Sequence, residues 1–172
     1  EDNDSALAFA EDELLHTLGL STLEQIEKPL SEFDIMADLS PEQIADLNQR
    51  MERFSFSAHQ FILRKDCCDE GGLYFITRGR VSVIIDDHAQ MIRLASYSAG
   101  VGALFSKQLN PHVCDVYADT EITLLKLSCS AFDKLCQESP VVGLKLLKRM
   151  NIDLSSRLNR MTHLALELEI EA

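Results

Sequence analysis

Leu73-Tyr74-Phe75-Ile76-Thr77-Arg78-Gly79-Arg80-Val81-Ser82-Val83-Ile84-Ile85 is the stretch that decides the fold. Two runs rich in β-branched and aromatic residues meet at one glycine between two arginines, and the pattern reads as a β-hairpin. Working outward, Phe61 and Leu63 flank Ile62 in a short strand. Asp86-Asp87-His88-Ala89-Gln90 is a polar turn before a strand over Met91 to Tyr97, and Val113 to Ala118 and Ile122 to Leu127 supply two more. Strands this short with polar turns between them point to a closed or nearly closed antiparallel barrel, which removes the edges that would otherwise aggregate.

The flanks change period. Residues 1 to about 54 read as helical. Ser5 to Leu18 places Leu7, Ala10, Leu14 and Leu18 at helical spacing, and Gly19 follows as a stop. Ser40-Pro41-Glu42-Gln43 combines a capping Ser, a Pro at the first helical position and a Gln at the third, a capping box. The helix it opens carries Ile44, Leu47 and Met51 on one face. Beyond the barrel, Ser130 to Gln137 forms a helix, Ser139-Pro140 breaks it, and a long helix runs from about Val141 towards Glu169. The expected fold class is α+β, an antiparallel β-barrel flanked by N-terminal and C-terminal helices. No linker rich in Pro, Gly or Ser divides it. Residues 1–29 read as a helical linker and 30–172 as one domain.

Composition narrows the function. The chain has 172 residues, 46% of them hydrophobic and 26% charged, which suits one globular domain with a real core. No apolar run is long enough to span a bilayer and no basic-then-apolar signal opens the chain, so direct membrane insertion is not expected. An acidic start at Glu1 without an initiator Met suggests a fragment of a longer protein. The net charge of −12 argues against nucleic acid, because phosphate binding needs clustered Lys and Arg. Residues 1–38 hold eleven acids against the single Lys28, a solvated acidic face.

Five cysteines, two of them adjacent at Cys67 and Cys68, show no metal or redox spacing, and Asp66, Asp69 and Glu70 deny that pair the positive surroundings a reactive thiol needs. Reduced thiols place the chain in the cytosol. His16, His59, His88, His112 and His163 fall in separate elements. No nucleophile–base pair, paired carboxylates or P-loop stand out, so neither catalytic residues nor a metal site is expected.

Several strings, in order, resemble the cyclic-nucleotide-binding domain family. They are Ala37-Asp38-Leu39-Ser40-Pro41-Glu42-Gln43, Phe61-Ile62-Leu63-Arg64, Leu73-Tyr74-Phe75-Ile76, Thr77-Arg78-Gly79-Arg80-Val81-Ser82-Val83, Ala118-Asp119-Thr120 through Leu125, and Ala131-Phe132. The resemblance covers roughly residues 30 to 155. It implies an eight-stranded jelly roll and a phosphate-binding cassette between two late strands. In such a cassette helix N-terminal amides and an Arg hold the cyclic phosphate and a Glu holds the ribose. The corresponding stretch here runs from Gly100 to Asp115, and its candidate ligand-contacting residues are Gly102, Ala103, Leu104, Lys107, His112, Val113 and Cys114. Gly102 and Pro111 fit the family pattern. Ala103 stands where the resemblance puts the ribose Glu, and His112 stands where it puts the Arg. An unperturbed His with a pKa of about 6.5 is mostly uncharged at neutral pH, and Asp115 repels a phosphate. The cassette is therefore expected to bind cyclic nucleotide weakly or not at all, with no other cofactor. The alternative is a working cAMP or cGMP sensor in which Lys107 or His112 replaces the Arg.

Two further readings concern partners. Asp4-Ser5-Ala6-Leu7-Ala8-Phe9-Ala10-Glu11-Asp12-Glu13-Leu14-Leu15 resembles the last helix of the STAS domain in SulP-type anion transporters, some bacterial members of which continue into a cyclic-nucleotide-type domain. That resemblance implies a regulatory module on the cytosolic face of the inner membrane, joined to a sulfate-type transporter. A similar fusion to a soluble enzyme such as a glutaminase is the alternative. Leu147, Leu154, Met161 and Leu168 recur every seven residues, with Met150, Leu158 and Leu164 nearby. Such a stripe is expected either to pair two copies as a homodimer or, in its first half, to pack on the barrel.

Overall fold

In the computed structural model the described residues are 26–64, 71–87, 90–98, 103–106 and 115–170. Among them the chain forms strands β1 (Glu52–Phe56), β2 (Phe61–Leu63), β3 (Gly72–Arg78), β4 (Arg80–Asp87), β5 (Gln90–Ser98), β6 (Ala103–Ser106), β7 (Asp115–Ala118) and β8 (Ile122–Ser128). Two 3₁₀ turns, Leu30–Glu32 and Asp34–Met36, precede helix α1 (Pro41–Gln49), and helices α2 (Cys129–Glu138) and α3 (Pro140–Ile170) follow the strands. The strands lie in two antiparallel sheets ordered β1-β8-β3-β6 and β2-β7-β4-β5. Among these pairs only β4 and β5 are consecutive in sequence, which is the pairing of a jelly roll.

β3 explains the layering. Its residues Gly72 to Thr77 are all buried. Leu73 and Phe75 belong to a cluster with Phe33, Met36, Leu47, Leu127, Leu135 and Leu146, on the side covered by the helices. Tyr74 and Ile76 belong to a second cluster with Val81, Val116, Ala118, Ile122 and Leu124, between the two sheets. Alternate residues of a strand point to opposite faces, so a strand apolar on both faces reads as an unbroken apolar run. β8 repeats the division. Leu125 and Leu127 sit opposite Phe75 and Leu73, and Leu124 sits opposite Ile76.

The expected hairpin at Gly79 does not form. β3 already has β8 and β6 as neighbours, and β4 has β7 and β5, so the two strands flanking Gly79 lie in different sheets. Gly79, at φ 90°, turns the chain from one sheet to the other, and a Cβ there would lie 2.3 Å from the Glu121 carbonyl oxygen. The hairpin is instead β4–β5, closed by Asp87 opposite Gln90. Two further expectations are corrected. β1 begins at Glu52, inside the stretch read as helical, and its alternation is concealed because Glu52 to Ser55 are all exposed on an edge strand. Met51 follows the end of α1 rather than extending its face, although it still packs against the helix-side cluster. β6 was not read as a strand at all.

The helix start was legible. The Gln43 amide donates to Ser40 Oγ at 3.3 Å and the Ser40 amide donates to Gln43 Oε1 at 3.1 Å. Such a cap contributes about 1 kcal/mol. Ser128 caps α2 in a similar way, its Oγ accepting from the Ala131 amide at 3.1 Å. Polar clamps then tie the helical layer together. Arg149 on α3 donates from Nε and Nη2 to the two Asp38 carboxylate oxygens at 2.8 and 2.7 Å. Arg50 bridges Asp46 and Glu138.

Two predictions follow from these contacts. Gly79→Ala, forced into a left-handed conformation against the Glu121 carbonyl, is expected to destabilise the fold by roughly 2 kcal/mol or more in urea unfolding. The hydrogen bonds from Arg149 hold the Asp38 carboxyl below its ordinary value near 3.8. A carboxyl whose pKa is depressed by folding stabilises the fold above its unfolded pKa and loses that contribution as pH falls through the folded value. Asp38→Asn should therefore be less stable than the parent at pH 7, and the difference should close as pH falls below about 4. Thermal unfolding from pH 7 to pH 3 measures it.

Candidate functional site

The cassette stretch joins β6 to β7, and so carries the chain from one sheet to the other. Ser106, the last residue of β6, lies opposite Gly72 of β3, and Asp115, the first of β7, lies opposite Ile84 of β4. Of the candidate ligand-contacting residues, Ala103 and Leu104 fall within β6. Gly102, Lys107, His112, Val113 and Cys114 lie outside the described residues. The register sets Ala103 opposite Phe75, a member of the helix-side cluster, and Leu104 opposite Tyr74, a member of the interior cluster. The two β6 positions thus belong to alternate rows, and it is Leu104 that is in register with the barrel interior.

The wall that a ligand in the barrel would meet is apolar. Tyr74, Ile76, Val81, Val116, Ala118, Ile122 and Leu124 form its buried part. Sequence reasoning missed one charged residue on this face. Lys126 lies opposite Tyr74 in the β3–β8 pairing, and its Nζ is 5.2 Å from the Tyr74 ring centroid. The ammonium thus sits over the face of the Tyr74 ring as a cation–π pair. The alternation of β8 was the available signal, since Lys126 is two residues from the interior Leu124. Asp115, the half-buried first residue of β7, is out of phase with Val116 and Ala118 and so lies on the row facing away from the barrel interior. Gly72, which continues the Tyr74 and Ile76 row of β3, admits the β8 backbone closely, because a Cβ there would stand 2.4 Å from the Leu127 carbonyl oxygen.

The long helix presents two kinds of surface along its length. Val142 and Leu146 are buried and Met150 packs against the same cluster, so Met150 belongs to the domain's own core. Leu147, Leu154 and Leu158, by contrast, are 47%, 57% and 64% exposed. Met161 and Leu168 continue the heptad within α3. The first half of α3 therefore packs on the barrel and also presents the first residue of the exposed stripe.

The other expected sites are bounded as follows. Among the described residues, Cys129 and Cys136 are not joined in a disulfide. Burial, and then the neighbouring Asp133, push the Cys136 thiol above its ordinary value of 9.0, the opposite of a reactive cysteine. Cys67, Cys68 and residues 1–25, including Asp4 to Leu15, lie outside the described residues. Among the described residues no group of three or more His, Cys, Asp or Glu side chains is placed to hold a metal, and no helix is long and apolar enough to cross a membrane.

Comparison with known proteins agrees with this architecture. The cyclic nucleotide-binding domain profile matches residues 53–139. A cyclic nucleotide-binding domain from Methylobacillus flagellatus KT superposes with a TM-score of 0.65 at 23% identity, covering 72% of this chain and 70% of that one. The catabolite activator protein of Thermus thermophilus superposes with a TM-score of 0.65 at 19% identity, covering 78% of this chain and 62% of that one. In sequence, Glutaminase 2 of Bradyrhizobium diazoefficiens is 27% identical over 158 residues, 90% of this chain. The chain spans only 24% of that protein's length.

Proposed function

We propose that this chain, which belongs to the cyclic nucleotide-binding domain family, is a non-catalytic regulatory module of a larger cytosolic or membrane-attached protein, with weak or no affinity for cyclic nucleotides. The reading rests on the cassette sequence, where the resemblance sets Ala103 at the ribose-binding Glu and His112 at the phosphate-binding Arg, beside an interior wall whose buried residues are apolar. A bidentate guanidinium contributes on the order of 1.5–3 kcal/mol per charged hydrogen bond, and its loss moves binding from micromolar towards millimolar. Isothermal titration with cAMP and with cGMP is expected to show no saturable binding in the micromolar range. His112→Arg should raise affinity by roughly tenfold to a hundredfold. Stoichiometric micromolar binding by the parent chain would establish the alternative, a working sensor in which Lys107 or His112 holds the phosphate.

The larger protein is a proposal of the same kind. The 158-residue match to Glutaminase 2 runs well beyond the profile's span and favours attachment to a glutaminase-type enzyme. The resemblance to a SulP-type transporter rests on Asp4 to Leu15 alone. Sequencing the gene upstream of the Glu1 codon tests this: a glutaminase-type catalytic domain encoded there supports the first reading, and a set of membrane-spanning helices supports the second.

For assembly, we infer a homodimer through α3. Leu147, Leu154 and Leu158 lie on one exposed stripe that its own barrel does not cover, with Met161 and Leu168 continuing the spacing. Light scattering should report a dimer, and Leu154→Glu with Leu158→Glu should give a monomer that keeps the parent's β-sheet circular dichroism. A parent chain that remains monomeric at high concentration contradicts the pairing.

A further inference from the structure

A second surface lies on the helix side of the first sheet. A groove of about 670 Å³ opens between the entry segment, α1 and the ends of β1, β3 and β8. Met36, Leu39, Ile44 and Leu125 give it an apolar lining, and Lys28 and Arg53 border it. Among the described residues, neither β6 nor β7 contributes to the groove's lining. Leu125 belongs to the helix-side row of β8, so the groove is a part of the outer face that the helices leave uncovered.

The chain itself enters at this groove. Glu27, Lys28 and Pro29 are among the first described residues and all three line it. They are held there firmly. The Lys28 amide donates to the Thr77 carbonyl at 2.8 Å. Glu27 takes two hydrogen bonds from the Arg53 guanidinium at 2.7 and 2.6 Å. The buried Thr77 hydroxyl shares its proton between the Thr123 carbonyl at 3.1 Å and Glu27 at 3.3 Å. Ile26, just outside, is 60% exposed.

We propose that the groove is the docking site of this chain's own N-terminal segment, residues 5–18, which folds back as an amphipathic helix with Leu7, Ala10, Leu14 and Leu18 against the groove's apolar lining. Length permits it. Gly19 to Gln25 is a seven-residue connection, which reaches about 24 Å when extended, and a helix over Ser5 to Leu18 would be roughly 21 Å long. Charge favours it. Residues 1–25 contain seven acids (Glu1, Asp2, Asp4, Glu11, Asp12, Glu13, Glu24) and no Lys or Arg, and Lys28 borders the groove, where Glu27 already takes the charge of Arg53. Energetics require a partner for such a helix, because one of about fourteen residues is marginal in water unless its apolar face is buried. The segment that leads to the rest of a larger protein would then be in direct contact with α1 and, through Leu125, with the barrel. This inference holds whether or not the cassette binds a nucleotide.

A photoreactive benzophenone side chain at Ala45, an exposed residue lining the groove, tests it in the full chain. Light and heavy isotope-labelled chains are mixed at low concentration, irradiated and mapped by mass spectrometry. Cross-links to residues 5–18 of the same chain are expected. Leu14→Glu with Leu18→Glu should lower their yield roughly tenfold, as loss of about 1.4 kcal/mol of contact would, and should raise hydrogen exchange across Ile44 to Asn48 in chains without the label. Cross-links joining light to heavy chains would assign the groove to a second copy. Those, the absence of cross-links to residues 5–18, or a yield unchanged by the two substitutions would each overturn the proposal.

Discussion

One strand buried on both faces organises this molecule. β3 contributes Leu73 and Phe75 to the helix-side core and Tyr74 and Ile76 to the barrel interior, and its two neighbours β8 and β6 occupy both of its edges. A strand with no free edge and no solvent face leaves its surroundings little choice. β8 must alternate in phase with it, which sets Leu127 and Leu125 against the helices and Leu124 towards the interior. Phe33 meets Phe75 edge to face, with ring centroids 5.5 Å apart, and so seats the 3₁₀ turns on that outer row. Each fully buried Leu or Phe contributes roughly 1.5–3 kcal/mol of transfer free energy. These few residues therefore outweigh any single polar contact in the helical layer.

The polar contacts have a different part. Exposed ion pairs individually contribute about 0–1 kcal/mol, so Arg50 with Asp46 and Glu138, or Arg149 with Asp38, does not hold the fold together. Their value is geometric. Arg149 reaches Asp38 with two parallel hydrogen bonds, which fixes the rotation of α3 relative to the turn before α1. Lys145 reaches Gln43 Oε1 at 3.1 Å, so the same helix also touches the capping box. With Val142, Leu146 and Met150 turned to the core, the rotation leaves Leu147 outward, in line with Leu154 and Leu158.

Three surfaces are arranged around the β3–β8 pair. The cassette connects the sheets beyond β6, the entry groove reaches Leu125 on the outer face, and the α3 stripe leaves from the helical layer that covers Leu73 and Leu127. Among the described residues, the groove reaches β8 at Leu125 and the start of α3 packs on Leu73 and Leu127, so both border the same two strands.

Much of this was legible in the residues. The Ser40–Gln43 capping box, the α2 and α3 boundaries near Ser139-Pro140, and the strands over Phe61–Leu63 and Ile122–Leu127 follow from local chemistry: a hydroxyl facing free amides, a ring that removes a donor, and runs of branched and aromatic side chains. At Ala103 and His112 the sequence supplies only an expectation, drawn from a resemblance. What the chain could not announce locally was pairing. Leu73–Ile85 has the composition of a hairpin, and only the presence of β8, β6, β7 and β5 as better-placed neighbours separates its two halves into different sheets at Gly79. β1 and β6 were missed or blurred for the same reason, because short edge strands owe their existence to a partner far away in sequence. The pairing of Leu104 with Tyr74 and the place of Lys126 beside the same residue are likewise register facts. Side-chain chemistry and element type are properties of a few neighbouring residues, whereas register and sheet membership are set by which distant strand each one buries itself against.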